Sequence, residues 1–118
     1  MPDRQDFPRA ERLTRRREYQ YVYQHGVKRV GRGFIVFTVR RPEEGRKLGR
    51  AVSRKVGNAV VRNRVRRYIR EVYRRHKSAW PGDLQMVVVA RPASAAWTCQ
   101  QCEAELLRLL SEGGRAHG

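Results

Sequence analysis

Tyr19, Val22 and Tyr23 fall at i, i+3 and i+4, the spacing that gathers apolar side chains on one face of a helix over residues 15–24. Thr14 stands where an N-cap is needed, and Gly26 lies just past the last turn. Beyond it the period shortens. Val27–Val30 reads as a short strand and Phe34–Arg40 (FIVFTVR) as a longer one, both rich in β-branched and aromatic residues. Pro42-Glu43-Glu44-Gly45 supplies a turn, and residues 47–53 (KLGRAVS) a third strand.

A helical period returns over residues 59–77, with Asn58 as N-cap and Pro81-Gly82 beyond its end. Val61, Val65, Tyr68, Ile69 and Val72 form its apolar stripe. Arg62, Arg66, Arg70 and Arg74 make an i+4 row on another side, flanked by Arg64, Arg67 and Arg75. Leu84–Ala90 (LQMVVVA) is almost continuously apolar, the pattern of a strand covered on both faces. Thr98-Cys99-Gln100-Gln101 fits a capping box, with Trp97 and Cys102 spaced for a hydrophobic staple. The helix it opens runs to residue 111 and ends at Gly113-Gly114. The predicted order is αβββαβα, an α+β sandwich of helices packed on one sheet. Residues 11–113 make a single domain, residues 1–10 with Pro2 and Pro8 a mobile arm, and residues 114–118 a tail.

Composition narrows the function. The chain has 118 residues, 40% of them hydrophobic, which is enough for a core and too many for wholesale disorder. No run is long and apolar enough for a transmembrane helix, and the N-terminus lacks the apolar stretch of a signal peptide. Two cysteines make no disulfide scaffold, so the expected compartment is the cytoplasm. Lys and Arg number 27 against 11 Asp and Glu, for a formal net charge of +16. Residues 54–75 hold nine basic side chains and one acid, Glu71, and so half of that net charge. The expectation is a small polyanion binder.

The densest signal is Ser53-Arg54-Lys55-Val56-Gly57-Asn58-Ala59-Val60-Val61-Arg62-Asn63-Arg64-Val65-Arg66-Arg67. A turn at Gly57 feeds a helix N-terminus, whose free N–H groups and positive dipole end favour phosphate. Arg54 and Lys55 precede that end, and the arginine row extends the same field. The competing reading is a solvated face stabilised by ion pairs, but Glu71 alone stands ready there, at i±4 from Arg67 and Arg75. A protein nuclease would want clustered carboxylates to hold Mg2+, and no DxD, ExK or HxH pattern occurs. Cys99 and Cys102 are half of a zinc site with nothing to complete it, and they continue into Leu106, Leu109 and Leu110 as core residues. His25, His76 and His117 are scattered, at a helix end, in the basic helix's last turn and in the tail.

KVGNAVVRNRVRRYIRE (residues 55–71) resembles the signature of the bacterial ribonuclease P protein component. The likeness extends to Glu18-Tyr19-Gln20-Tyr21-Val22-Tyr23-Gln24-His25-Gly26, to Phe34-Ile35-Val36-Phe37, to residues 48–55 and to Ala90-Arg91-Pro92. The resemblance implies a mixed four-stranded sheet like that of the second domain of ribosomal protein S5. It also implies a subunit of the ribonucleoprotein that removes the 5′ leader from precursor tRNA, in which the RNA subunit is the catalyst. Its partners would be the ribonuclease P RNA subunit and the precursor leader, with no membrane and no small-molecule substrate. Mg2+ would serve the RNA-centred holoenzyme; the resemblance allows protein-bound metal ions near the leader, and the sequence assigns no ligands or other cofactor to the protein.

Carried over by position, Arg54, Lys55, Asn58, Arg62, Asn63, Arg64, Arg66, Arg67 and Arg70 are the expected contacts to the RNA subunit. Tyr19, Tyr23 and Phe37 are the expected aromatics of a leader-binding cleft between the first helix and the sheet. Unstacked bases of a single strand bind aromatic faces with little sequence preference, so the cleft also makes physical sense. The family often has Phe at both helix positions and Tyr on the strand, whereas here the hydroxyls sit at 19 and 23. Stacking survives that exchange, but a hydrogen bond from the strand position does not. A ribosomal or general RNA-binding module is the alternative; it accounts for the charge but not for the aromatics.

Overall fold

The structure is a computed structural model and describes residues 7–115, with side chains through Ser111. The elements follow in the order α1 (Arg16–His25), β1 (Val27–Val30), β2 (Phe34–Arg40), β3 (Lys47–Ala51), α2 (Ala59–His76), β4 (Leu84–Ala90) and α3 (Cys99–Arg115). This is the predicted αβββαβα order. The four strands form one mixed sheet in the order β1-β2-β4-β3. β2 runs antiparallel to both β1 and β4, and β3 lies parallel to β4. A parallel pair needs a crossover, and α2 supplies it.

Alternation along the strands divides the core in two. Phe34, Val36, Leu48, Met86, Val88 and Ala90 face α2 and α3, where they pack with Val65, Ile69, Val72, Cys102, Leu106 and Leu109. The intervening Phe37, Val39, Val87 and Val89 face α1 and meet Leu13, Tyr19 and Val22. Strand β4 is therefore covered on both sides, as its apolar run predicts, and Val87 is fully buried. The β1–β2 turn is fastened to α3 by one carboxylate. Glu105, 9% exposed, accepts the backbone N–H groups of Arg32, Gly33 and Phe34 at 2.9–3.1 Å.

The structure moves several boundaries. Arg15, not Thr14, is the N-cap of α1, because Glu18 Oε1 reaches back to accept the N–H of both Thr14 and Arg15 at 3.0 Å. Strand β3 ends at Ala51, two residues early, since the chain turns at Ser53, whose carbonyl accepts the Val56 N–H. Helix α2 stops at His76, and Lys77–Ala79 tightens into a 3-10 turn. The α3 capping box forms as predicted, with Thr98 and Gln101 exchanging backbone-to-side-chain bonds. That helix continues past Gly113-Gly114 to Arg115, so the expected tail begins inside it; residues 116–118, His117 among them, lie outside the described residues.

The expected arm over residues 1–10 needs the largest correction. Residues 1–6 lie outside the described residues, but Phe7 is 6% exposed and sits edge-on against Tyr73 at 5.5 Å. Burying that ring is favourable enough to fix the segment. Arg12 holds the Phe7 carbonyl through Nε and Nη2 at 3.2 and 2.8 Å, and Arg9–Glu11 form a 3-10 turn. The chain then runs along the outer side of β3, where Leu13 N–H donates to the Leu48 carbonyl at 3.0 Å.

Candidate nucleic-acid interface

Helix α2 begins as the sequence predicts, with Asn58 Oδ1 accepting the Val61 N–H at 3.0 Å. Asn58 therefore spends a lone pair of its amide oxygen on the cap, and its amide group keeps two N–H donors. Arg54 and Lys55 stand exposed in the turn before it. The arginines of the helix divide into two kinds. Arg62 Nε donates to the Gly57 carbonyl at 3.1 Å, Arg64 Nη2 to the Ala95 carbonyl at 2.7 Å, and Arg66 Nη2 to the Val52 carbonyl at 3.5 Å. These three are half-buried braces with donors to spare, since a guanidinium carries five N–H groups. Asn63 is exposed and turns its Oδ1 to Arg66. Arg67 and Arg70 are exposed, Arg67 lying over the Tyr68 ring at 5.8 Å.

Ion pairing takes only the far end of the row. Glu71 binds Arg74 at 2.8 Å and approaches Arg75 at 3.9 Å, so of the two partners expected at i±4 it takes Arg75 and not Arg67. The Arg74 hydrogen bond holds the Glu71 carboxyl below its ordinary range. From Arg54 to Arg70, among the described residues, no carboxylate forms an ion pair with the face. Val60, 73% exposed, sits among these cations.

On the other side of the sheet the three expected aromatics come together. Tyr23 meets Phe37 edge-on at 4.9 Å, and Tyr19 lies 6.4 Å from Tyr23. Their surroundings differ. The Tyr19 hydroxyl accepts the Arg50 N–H at 3.1 Å and faces the Arg50 carbonyl at 3.4 Å. Its ring packs on Gly49, where an added Cβ would come within 2.8 Å of it. Tyr23 is 38% exposed, and burial raises its hydroxyl pKa, with Tyr19 adding to the rise. Tyr21 turns out of the cleft, under the Arg41 guanidinium at 3.8 Å and beside His25.

Lys28 was missed by the sequence reading. It pairs directly with Phe37 across β1 and β2 and places its ammonium 5.9 Å from that ring. The hairpin register carries the signal, because directly paired residues share a face. With Val30, 55% exposed, it forms the open side of the cleft.

The remaining candidates recede into structure. Cys102 is fully buried with Leu106 and Leu109, and burial pushes its thiol up to about 12. His25 ends α1, and His76 binds Glu103 at 2.6 Å. Among the described residues no three His, Cys, Asp or Glu side chains gather as a group that could hold a metal ion. A cavity of about 600 Å3, lined by Val27, Trp80, Leu84, Leu107 and Leu110, opens where β2 ends and β4 begins. None of the expected site residues lines it, and Arg40 and His76 on its rim are already paired with Asp83 and Glu103.

An α+β fold with an arginine-lined helix on one face and a cationic, aromatic cleft on the other defines a small polyanion-binding protein. The family described as Ribonuclease P matches residues 7–113. The chain is 37% identical over 103 residues to the ribonuclease P protein component of Brevibacillus brevis, covering 86% of this chain and 82% of that one. It is 42% identical over 112 residues to the same component of Desulfovibrio desulfuricans, covering 92% and 86%. The structure of the Staphylococcus aureus RNase P protein matches with a TM-score of 0.79 at 33% identity, over 86% of this chain and 93% of that one. That of Thermotoga maritima gives 0.76 at 29%, over 86% and 96%. The chain belongs to the ribonuclease P protein family.

Proposed function

We propose that this chain is the protein subunit of a ribonuclease P holoenzyme, in which it binds the catalytic RNA subunit and the 5′ leader of precursor tRNA. The observation that carries the reading is the division of the surface. Exposed or spare guanidinium donors at Arg54, Arg62, Arg64, Arg66, Arg67 and Arg70, with Lys55 beside them, stand on one side. Stackable rings at Tyr23 and Phe37, with Lys28 beside them, stand on the other. Phosphate contacts position a folded RNA, and aromatic faces take unpaired bases. A leader exists only on the precursor, so gripping it raises affinity for precursor over mature tRNA.

The chemistry belongs to the RNA. The RNA subunit is the catalyst and the holoenzyme's Mg2+ ions serve it; the protein is assigned none. Its arginines neutralise phosphates and lower the Mg2+ concentration the complex needs. The working compartment is the cytoplasm, and among the described residues no helix is long and apolar enough to cross a membrane.

The test is cleavage of a precursor tRNA at low Mg2+ by the protein alone, by bacterial ribonuclease P RNA alone, and by both. The expected result is cleavage at the mature 5′ end only with both present. Cleavage by the protein alone would move catalysis to its side chains. No help from the protein at any Mg2+ concentration would leave a general RNA-binding module.

A further inference from the structure

Arg50 follows Leu48 by two positions on β3, so its side chain leaves the strand toward α2. Its Nη1 donates to the Arg66 carbonyl at 3.2 Å, and its guanidinium lies 5.2 Å from the centre of the Phe7 ring. The Arg12 guanidinium lies 4.9 Å from the centre of the same ring. Arg66 adds its own guanidinium at the Val52 carbonyl, and Arg70 follows one helical turn on, exposed. Among the described residues, none of these four arginines makes an ion pair, unlike Arg40, Arg41, Arg74, Arg75 and Arg108.

Two guanidiniums over one buried ring, with Arg66 bridged to one of them and no ion pair to any, is a poor way to stabilise a fold. Burial pushes the Arg50 pKa down, and the charges of Arg70, Arg66 and Arg12 push it the same way, with Tyr19 opposing. The folded protein therefore disfavours this charge. A leucine at position 50 would cover Phe7 as well and repel nothing. The spare N–H donors of the cluster match the oxygens of a phosphodiester, and guanidinium–phosphate pairs are among the strong hydrogen bonds.

We propose that Arg12, Arg50, Arg66 and Arg70 form a phosphodiester-binding site on the flank of α2 that faces β3. Its ligand, resting on the reading given above, is a backbone phosphate of the RNA subunit. The site lies apart from the helix N-terminus and uses two residues, Arg12 and Arg50, that come from outside α2.

The decisive measurement is the salt dependence of binding between the full-length protein and ribonuclease P RNA. Arg50→Leu keeps bulk over Phe7 and removes the charge; Arg70→Gln does so at an exposed position that leaves packing intact. Each is expected to weaken binding by about tenfold, the worth of one charged hydrogen bond. Each is expected to lower the slope of log affinity against log salt by about one. Arg50→Lys should restore part of the slope, and Arg40→Gln, an equal charge loss at the far end of the sheet, should leave it near wild type. An unchanged slope in Arg50→Leu, or an equal fall in Arg40→Gln, overturns the site.

A second arm titrates inorganic phosphate against thermal stability of the free protein. The expected result is a smaller phosphate-induced rise in Tm for Arg50→Leu than for wild type, with a Tm at least equal to wild type in its absence. Equal phosphate stabilisation in both proteins counts against the site. Should wild type fail to bind the RNA subunit, the subunit reading falls, and this arm still decides whether the four arginines hold phosphate.

Discussion

Helix α2 and the cleft beneath α1 differ in what their side chains are doing before any ligand arrives. Arg62, Arg64 and Arg66 each place one donor on a backbone carbonyl and keep others free. In the cleft, Tyr19 commits its hydroxyl to β3 and lays its ring on Gly49, while Tyr23 and Phe37 meet edge to face and Tyr23 stays partly exposed. A guanidinium with five donors serves as brace and ligand together. A tyrosine ring packed on backbone does not, because the face it presents to the protein is lost to a base. One surface therefore shares its labour within each residue, and the other divides it between residues.

Tyr19→Ala is the strongest way to break that contrast. Removing its packed ring is expected to cost about 3 kcal/mol of stability by urea denaturation, against less than about 1 kcal/mol for the more exposed Tyr23→Ala. Similar losses in the two would make the rings equivalent. Next in size, Tyr23→Ala is expected to weaken precursor tRNA binding by about 1–3 kcal/mol and leave mature tRNA affinity unchanged. A parallel loss for both ligands would point to packing instead.

On α2, Arg64→Ala is expected to lose about 1 kcal/mol of stability with its bond to Ala95, together with about one unit of salt slope for the RNA subunit. Arg67→Ala should show the slope change with stability held within about 0.5 kcal/mol. If both lower stability alike, Arg64 is no brace. The smallest effect separates the paired end of the helix from the unpaired part. The Glu71 carboxyl is held below its ordinary range in the folded state, so it stabilises above the unfolded carboxylate value and that contribution fades as pH falls through the folded one. Glu71→Gln should therefore flatten the stability profile below about pH 4.3 and leave it unchanged in slope near neutrality.

Much of this was legible in the residues. Strands β1, β2 and β4 lie where their β-branched runs put them, and α2 starts at its Asn58 cap, because local propensity and burial agree there. Phe7 was not legible as core. Two nearby prolines argue for a loose end, and only the tertiary groove beside Tyr73 makes its burial worthwhile. The Thr14 cap failed for a related reason, since the Glu18 carboxylate serves the same N–H groups from inside the helix. Residue type marked Tyr19 and Tyr23 alike, and the sheet separates them, because Gly49 lies under one ring and open space beside the other. Arg50 was hidden in an alternating strand pattern, where nothing local says that its side chain ends among three other arginines.

Strand β3 is one of the two edge strands of its sheet, and an edge strand carries backbone groups able to pair with another copy of the same strand. Leu13 and Tyr19 occupy such groups at Leu48 and Arg50. The short stretch anchored by Phe7 is thus also a seal against self-association. Its importance grows with function, since net charge keeps the free copies apart and bound RNA cancels that repulsion. A chain cut between Leu13 and Thr14 would keep every arginine of α2 and still be expected to aggregate, most of all once RNA is added.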